Sequence, residues 1–545
     1  MKLRPYQEEA ITGILNTLRE HDTCLVVMPT GTGKTVVFSK LLEMATKGRG
    51  MVVAHREELI NQACEKICSV TGTRPDIEMA SQCADDTVKT PVVVSSVQTQ
   101  CSGGKSPRME KFIPSQFTLL ILDEAHHATA KSWQRVVKHY RQNENLKVVG
   151  FTATPDRLDK MALGNIFEHV AYEYHIDDAI RDGYLVPIKQ RMVEVDCLDY
   201  SSIRTTAGDL NGRELAQVME DEHVLHEVAS PTVELLNGRK ALLFASSVNH
   251  AQRLSEIFER YNLTSAYVSG KTPKSERAKI VKDFASGEIR VLCNVGCFTE
   301  GFDDPAVEVV VMARPTKSRA LYSQMVGRGT RPLAGIVDNL SVDTPEERRK
   351  AIKNSGKKVV EVIDFSGNCG RHKLVNCMSI LGGKDISDDV LQRANELAVG
   401  KDAPVDPRRI VEEAEEEIIA ERERKRVEAM AKRAKLRAKV KFDTKAVNPF
   451  DTFDIHIPVE NEQYERGATD KQIDFLAKHH IDAESYTFKQ ASKVTTTIIT
   501  RLKKGLSTPK QISTLRKYGV EAKDMTKKEA SEHLDRIASN GWRNP

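Results

Sequence analysis

The sequence predicts an α/β protein with two parallel-sheet lobes, a charged helical connector and a small all-α module that is duplicated at the C-terminus. Three observations lead there. Short apolar runs alternate with helical stretches through the first 385 residues, the same rhythm restarts near residue 241, and the last 75 residues repeat at a fixed offset.

The runs Leu25-Val26-Val27-Met28, Met51-Val52-Val53-Ala54, Val92-Val93-Val94, Leu119-Leu120-Ile121-Leu122 and Lys147-Val148-Val149-Gly150 are expected to be buried strands of a first lobe. Near-continuous apolar strands separated by helices indicate a parallel sheet covered on both faces. Ala241-Leu242-Leu243-Phe244, Val291-Leu292-Cys293-Asn294, Val309-Val310-Val311-Met312 and Val359-Val360-Glu361-Val362-Ile363 form the matching set of a second. The expected boundaries are 1–175 for the first lobe, 176–230 for the connection and 231–385 for the second lobe.

From 386 to 462 the composition changes. Asp406-Pro407 reads as an N-cap followed by a first-turn proline. Glu412, Glu413, Glu415, Glu416 and Glu417 come early, and Arg424, Lys425, Arg426, Lys432, Arg433, Lys435 and Arg437 come late. That order suits a helix dipole. Val411, Ala414 and Ile418 give only a weak apolar seam, so the segment reads as a solvated connecting helix, with a basic arm touching phosphates as the alternative.

In the tail, 463–545, Thr469-Asp470-Lys471-Gln472-Ile473 recurs as Thr508-Pro509-Lys510-Gln511-Ile512. Leu476, Ile481, Ala483, Thr487, Lys489, Ala491 and Ser492 recur as Leu515, Val520, Ala522, Thr526, Lys528, Ala530 and Ser531, each pair 39 residues apart. A constant offset over so many positions means duplication. Each copy reads as two threonine-capped helices joined by a short extended link.

Composition narrows the class. The 545 residues exceed a single core, and 40% apolar with 29% charged residues describes a folded, soluble chain. No run of 18 apolar residues suggests a membrane span. The start, Met1-Lys2-Leu3-Arg4, lacks a signal-peptide core, so a cytoplasmic location is expected. Ten cysteines without a CxxC pair read as buried free thiols rather than zinc ligands. The net charge of +4 is small, but 15 Lys and Arg stand against 9 Asp and Glu from Gly467 onward.

The chemistry begins at Pro29-Thr30-Gly31-Thr32-Gly33-Lys34-Thr35, a phosphate-binding loop between a strand and a helix. Its glycines let backbone N–H groups turn toward phosphate oxygens. Lys34 reaches the β- and γ-phosphates and Thr35 can hold Mg²⁺. Met28 stands where the strict motif has a small residue. Asp123-Glu124-Ala125-His126 ends the run at Leu122. Asp123 is placed to bind Mg²⁺ through water, and Glu124 to orient and deprotonate an attacking water.

Arg4-Pro5-Tyr6-Gln7, the phosphate loop, Asp123-Glu124-Ala125-His126 and Thr152-Ala153-Thr154-Pro155 resemble motifs Q, I, II and III of superfamily 2 helicases, in that order. The resemblance implies two RecA-like lobes, with ATP and Mg²⁺ as cofactors. Gln7 would read adenine, Thr30, Gly31, Thr32 and Gly33 would cradle phosphate, and His126, Thr152 and Thr154 would couple ATP state to strand grip. Ala54-His55-Arg56-Glu57-Glu58-Leu59 and Ser95-Ser96-Val97-Gln98-Thr99 resemble loops that hold the strand backbone, so His55, Arg56, Ser96, Gln98 and Thr99 become expected contacts.

Phe244-Ala245-Ser246-Ser247, Thr299-Glu300-Gly301-Phe302-Asp303 and Gln324-Met325-Val326-Gly327-Arg328-Gly329-Thr330-Arg331 resemble motifs IV, V and VI. Ser246 and Thr299 would touch the strand, and Gly301 and Asp303 the nucleotide. Gln324, Arg328 and Arg331 would join Lys34, Asp123 and Glu124 in catalysis, the two arginines as fingers on the γ-phosphate.

The Asp-Glu-Ala-His form and the Gly-Arg-Gly-Thr-Arg ending look most like the DNA-directed branch with RadD-like, XPB-like and restriction-motor proteins. Ser269-Gly270-Lys271-Thr272-Pro273 and Ile363-Asp364-Phe365-Ser366-Gly367-Asn368 resemble its bacterial and phage members. The expectation is therefore an ATP-dependent helicase or translocase favouring DNA over RNA. An RNA helicase, the motor subunit of a restriction system and a nucleic-acid-dependent ATPase switch share these residues and stay open. The tail resembles helix–extended–helix modules, which bind nucleic acid or protein partners.

Overall fold

The computed structural model describes residues 2–539 apart from 46–47, 87–88, 105, 154–162, 165, 207, 299–300, 339–342, 369–371, 382–385, 400, 402, 440–447, 454, 456–466 and 480. The chain divides into two compact units, Met1–Ala414 and Glu415–Pro545.

In the first unit, the apolar runs become strands β1 (Thr23–Val27), β2 (Arg49–Ala54), β3 (Asp76–Glu78), β4 (Val92–Ser96), β5 (Phe117–Asp123), β6 (Lys147–Thr152) and β7 (His169–Glu173). They form one sheet in the order β3-β4-β2-β5-β6-β1-β7, parallel throughout. Burial on both faces explains the unbroken apolar runs. Cys24 and Val26 of β1 face one core cluster, while Leu25 and Val27 face another.

The second sheet begins inside the stretch expected to be a connection. Strand β8 (Ile188–Asp199) lies at the edge of the second lobe beside β15, after which the chain makes a short hairpin, β9 (Thr205–Thr206) and β10 (Asp209–Leu210). Then come β11 (Ala241–Ala245), β12 (Ser265–Val268), β13 (Val291–Asn294), β14 (Val309–Ala313) and β15 (Val360–Asn368), in the order β12-β13-β11-β14-β15-β8. An edge strand is half-exposed and needs no apolar run, which is why Lys189, Gln190, Arg191 and Glu194 hid β8 from pattern reading. Leu242 and Phe244 join the same core cluster as Val26 and Val52, so the lobes share apolar contacts.

Asp406 Oδ1 accepts the Arg408 N–H, 3.1 Å away, at the start of the helix Pro407–Lys439. Ile410, Val411 and Ala414 are buried, and Val427 and Met430 beyond them are exposed. The expectation of buried thiols holds for Cys24, Cys64, Cys293 and Cys377, whereas Cys83 is exposed, beside Arg108 rather than in a core. Among the described residues no helix is long and apolar enough to cross a membrane.

The second unit carries the duplication in three dimensions. Helices Asp470–Ala477 and Phe488–Lys503 are followed by Pro509–Arg516 and Lys527–Ser539. Thr469, Thr487 and Thr508 close capping boxes with Gln472, Gln490 and Gln511, and Thr526 does so with Glu529. The bridge Gly467–Thr487 recurs as Leu506–Thr526, and the Gln472–Ser492 hydrogen bond (2.8 Å) as Gln511–Ser531 (2.9 Å). Leu476 and Leu515 are both fully buried in one small core.

Candidate active site

The phosphate loop leaves β1 and ends at the helix Lys34–Met44. Gly31 (φ +88°) and Gly33 (φ +81°) occupy the left-handed region that side chains avoid. Space is also short, because a Cβ on Gly33 would lie 2.8 Å from Gln7 Nε2 and one on Gly31 would lie 3.2 Å from Arg331 Cγ. Gln7 Nε2 and Tyr6 Oη donate to the Thr32 carbonyl at 3.0 and 2.8 Å, and so brace the loop from the first helix. Met28 is buried in the core behind the loop, which explains how the chain tolerates it.

Asp123 ends β5, and Glu124 follows with φ +52°, a left-handed conformation that costs a non-glycine residue about 1–2 kcal/mol. The turn sets a buried carboxylate between the two lobes. Glu124 Oε1 lies 3.2 Å from Lys34 Nζ, and Oε2 lies 3.4 Å from Gln324 Nε2 of the second lobe and 3.5 Å from His126 Nδ1. His126 Nδ1 is 3.3 Å from Thr152 Oγ1. Lys34, Glu124, Gln324, His126 and Thr152, up to 290 positions apart in sequence, thus form one connected polar group.

Motif VI approaches from the helix Arg319–Gly327. Its Gly327 sits against the loop so closely that a Cβ would lie 2.9 Å from Thr30 Cβ. The two arginines beyond it line the same cleft of about 1240 Å³ as Gln7, Thr30, Gly31, Thr32, Gly33, Thr35 and Asp303. Arg328 Nη1 donates to the Phe302 carbonyl at 2.8 Å, and Arg331 forms an ion pair with Asp303. Both guanidiniums are therefore held by motif V at the cleft wall. Gly301 faces the first lobe, where a Cβ would lie 2.8 Å from Glu58 Cβ.

The residues expected to hold a strand are arranged less uniformly. Arg56 Nη1 donates to the Gly296 carbonyl across the lobes at 2.6 Å and Arg56 Nε lies 3.2 Å from His55 Nε2. Gln98 is exposed, and its amide donates to the His55 carbonyl at 3.0 Å. Ser96 and Thr99 are buried and serve the helix Val97–Cys101, with Ser96 Oγ accepting the Thr99 N–H at 3.1 Å. Ser246 Oγ pairs with His250 Nδ1 at 2.9 Å. Thr154 and Thr299 lie outside the described residues.

Pattern reading did not assign Tyr6, although it is part of the quoted motif Arg4-Pro5-Tyr6-Gln7. Its ring stacks on Tyr174 (4.6 Å) and meets Tyr184 edge-on (4.8 Å), walling the Gln7 side of the cleft. Three ion pairs across the lobes also went unread: Arg4–Asp338 (2.6 Å), Lys274–Glu57 (2.6 Å) and Arg277–Glu58 (2.5 Å). No local pattern marks such partners.

Two parallel-sheet lobes that close a phosphate loop against a Gln-x-x-Gly-Arg-x-x-Arg helix define the motor core of superfamily 2 helicases. Residues 1–157 match the family described as Type III restriction enzyme, res subunit, and residues 222–332 match the helicase conserved C-terminal domain. The two matches lie in the first and the second lobe, and both are to helicase-type domains.

It is 32% identical over 60% of its length to "Putative ATP-dependent helicase IRC3" of Saccharomyces cerevisiae, covering 49% of that protein. It is 30% identical over 58% of its length to a 51.5 kDa protein of a Lactococcus phage, covering 65% of it. With the DNA 3'-5' translocase XPB2 of Sulfurisphaera tokodaii it shares 27% identity over 60% of its length, covering 78% of that chain. The matches thus span about half to two thirds of the first two relatives.

Proposed function

We propose that this protein is an ATP-hydrolysing motor that moves along nucleic acid, with DNA as its preferred track. The meeting of Lys34, Glu124 and Gln324 at one point between the lobes carries this reading. Glu124 orients the attacking water and accepts its proton, while Gln324 and His126 hold its second oxygen. Lys34 meets the charge on the transferred phosphoryl group, and Arg328 and Arg331 meet it from the other lobe. Thr35 and Asp123 would hold Mg²⁺, whose preference for hydroxyl and carboxylate oxygens fits this pair, and the bound ion would neutralise phosphate charge.

Since the catalytic groups come from both lobes, hydrolysis and lobe closure are one equilibrium. Arg56, which reaches the Gly296 carbonyl across the lobes, and the exposed Gln98, bonded to the neighbouring His55 carbonyl, suit contacts to a strand backbone. Support for DNA comes from the named activity of the Sulfurisphaera relative and from the restriction-enzyme family matched by residues 1–157. The experiment is ATP turnover with single-stranded, forked and duplex DNA and with RNA. Stimulation by RNA alone would overturn the DNA assignment, and no stimulation by any of them would overturn the motor.

The tail supplies a second contact to the same nucleic acid. Lys471, Lys478 and Lys489 are exposed, and so are their repeats Lys510, Lys517 and Lys528. Such a basic surface raises affinity through phosphate neutralisation and effective concentration. Removal of residues 462–545 is expected to weaken DNA binding and flatten its salt dependence. Unchanged binding would leave protein docking as the tail's role.

A further inference from the structure

Lys357 lies in the turn before β15, outside every motif, and is 2% exposed. Its backbone is pinned by Ser355, whose Oγ accepts the Lys357 N–H at 3.2 Å and donates to the Lys357 carbonyl at 2.9 Å. From there the side chain runs behind the cleft wall. Nζ donates to the Pro305 carbonyl at 2.8 Å and to the Arg331 carbonyl at 2.7 Å. Pro305 follows motif V and Arg331 ends motif VI, so one ammonium ties the two together.

The tie bears on the cleft because of what the same two segments do at their front. Arg331 forms its ion pair with Asp303, two residues before Pro305, and its Cγ lies 3.2 Å from where a Cβ on Gly31 would stand. The neighbouring Asp304 is already paired with Lys240 at 2.8 Å, so Lys357 is not there simply to neutralise it. Burying an ammonium is costly unless it makes such hydrogen bonds, and an apolar side chain would fill the space more cheaply. A methionine there would leave two carbonyls without this donor and the Asp303–Arg331 pair without its rear support.

We propose that Lys357 is a positioning residue for nucleotide hydrolysis: by bridging Pro305 and Arg331 from behind, it sets the Arg331 guanidinium against the phosphate loop. This rests on the reading of Arg331 as a phosphate-contacting arginine. The test is a double-mutant cycle on the full chain, reading ATP turnover at saturating single-stranded DNA for wild type, Lys357→Met, Arg331→Ala and the double variant.

Lys357→Met is expected to lower kcat by roughly tenfold or more with ATP KM moved by less than about threefold, the pattern of a lost transition-state interaction. Arg331→Ala is then expected to cost much less in the Lys357→Met background than in wild type. Wild-type turnover by Lys357→Met, or an equal cost of Arg331→Ala in both backgrounds, overturns the proposal. Should Lys357→Met fail to fold, Lys357→Gln replaces it with the same two outcomes, since its shorter side chain cannot span both carbonyls. Full turnover by Arg331→Ala alone would refute the arginine's own role, a different failure from that of Lys357.

Discussion

Replacing Glu124 by glutamine changes one oxygen for an amide nitrogen and leaves the volume of the side chain intact. The carboxylate is 4% exposed and faces Lys34, Gln324 and His126. Removing it takes away the proposed general base, a role typically worth 10²–10⁴ in rate, or about 3–5 kcal/mol at 1.36 kcal/mol per tenfold change. The Lys34 ammonium would lose the negative charge 3.2 Å away, with a neutral amide oxygen left to accept from it, and keep its reach to phosphate. The expected result for Glu124→Gln is therefore kcat lowered by roughly 10²-fold or more with ATP still bound. Steady-state hydrolysis with DNA present, alongside equilibrium binding of a fluorescent ATP analogue, measures both. Near-normal turnover would refute the assignment of Glu124, and loss of binding with normal turnover per bound nucleotide would refute the geometry around it.

Three further outcomes are expected. Gly33→Ala places a Cβ at φ +81° and 2.8 Å from Gln7 Nε2, so ATP affinity should fall by roughly tenfold or more, and calorimetric titration would show it. Asp364 is half-buried on β15, accepting from Tyr322 Oη (2.6 Å) and Gln190 Nε2 (2.5 Å), and desolvation pushes its carboxyl up to about 6. A raised carboxyl favours the fold while protonated, fully so below about pH 4, and that contribution is lost as pH rises through 6. Asp364→Asn should therefore stabilise the protein at pH 7.5 by on the order of 1–3 kcal/mol, with the gain vanishing near pH 4 in thermal melts. Leu476→Ala and Leu515→Ala each empty an equivalent buried site and should each destabilise the tail by about 2–5 kcal/mol in denaturant unfolding, a clear inequality arguing against structural equivalence of the repeats.

Much of the fold was legible because its signals are local. Strands buried on two faces must be apolar at every position, so β1, β2, β4, β5 and β6 stood out as runs. The three-residue β3, the partly exposed β7 and the edge strand β8 carry no such run, and each was missed for that reason. The site divides in the same way. Gly31, Gly33, Lys34, Asp123 and Glu124 announce themselves through short spacing that the chemistry demands. Ser96 and Thr99, in contrast, carry suitable hydroxyls that prove to be buried in a helix cap. Lys357 could not be found, because a lone lysine before a strand resembles a surface lysine until its partners are known.

The sequence by itself determined the class of chemistry, the two-lobed plan and the doubled tail, since each is set by residues near one another in the chain. Tertiary structure alone decided which groups meet: Glu124 with Gln324, Arg331 with Asp303, and Lys357 with the carbonyls behind them. The physical reason is distance. Hydrogen bonds and ion pairs form within about 3–4 Å in space, and only packing the two sheets through a shared core brings residues hundreds of positions apart that close.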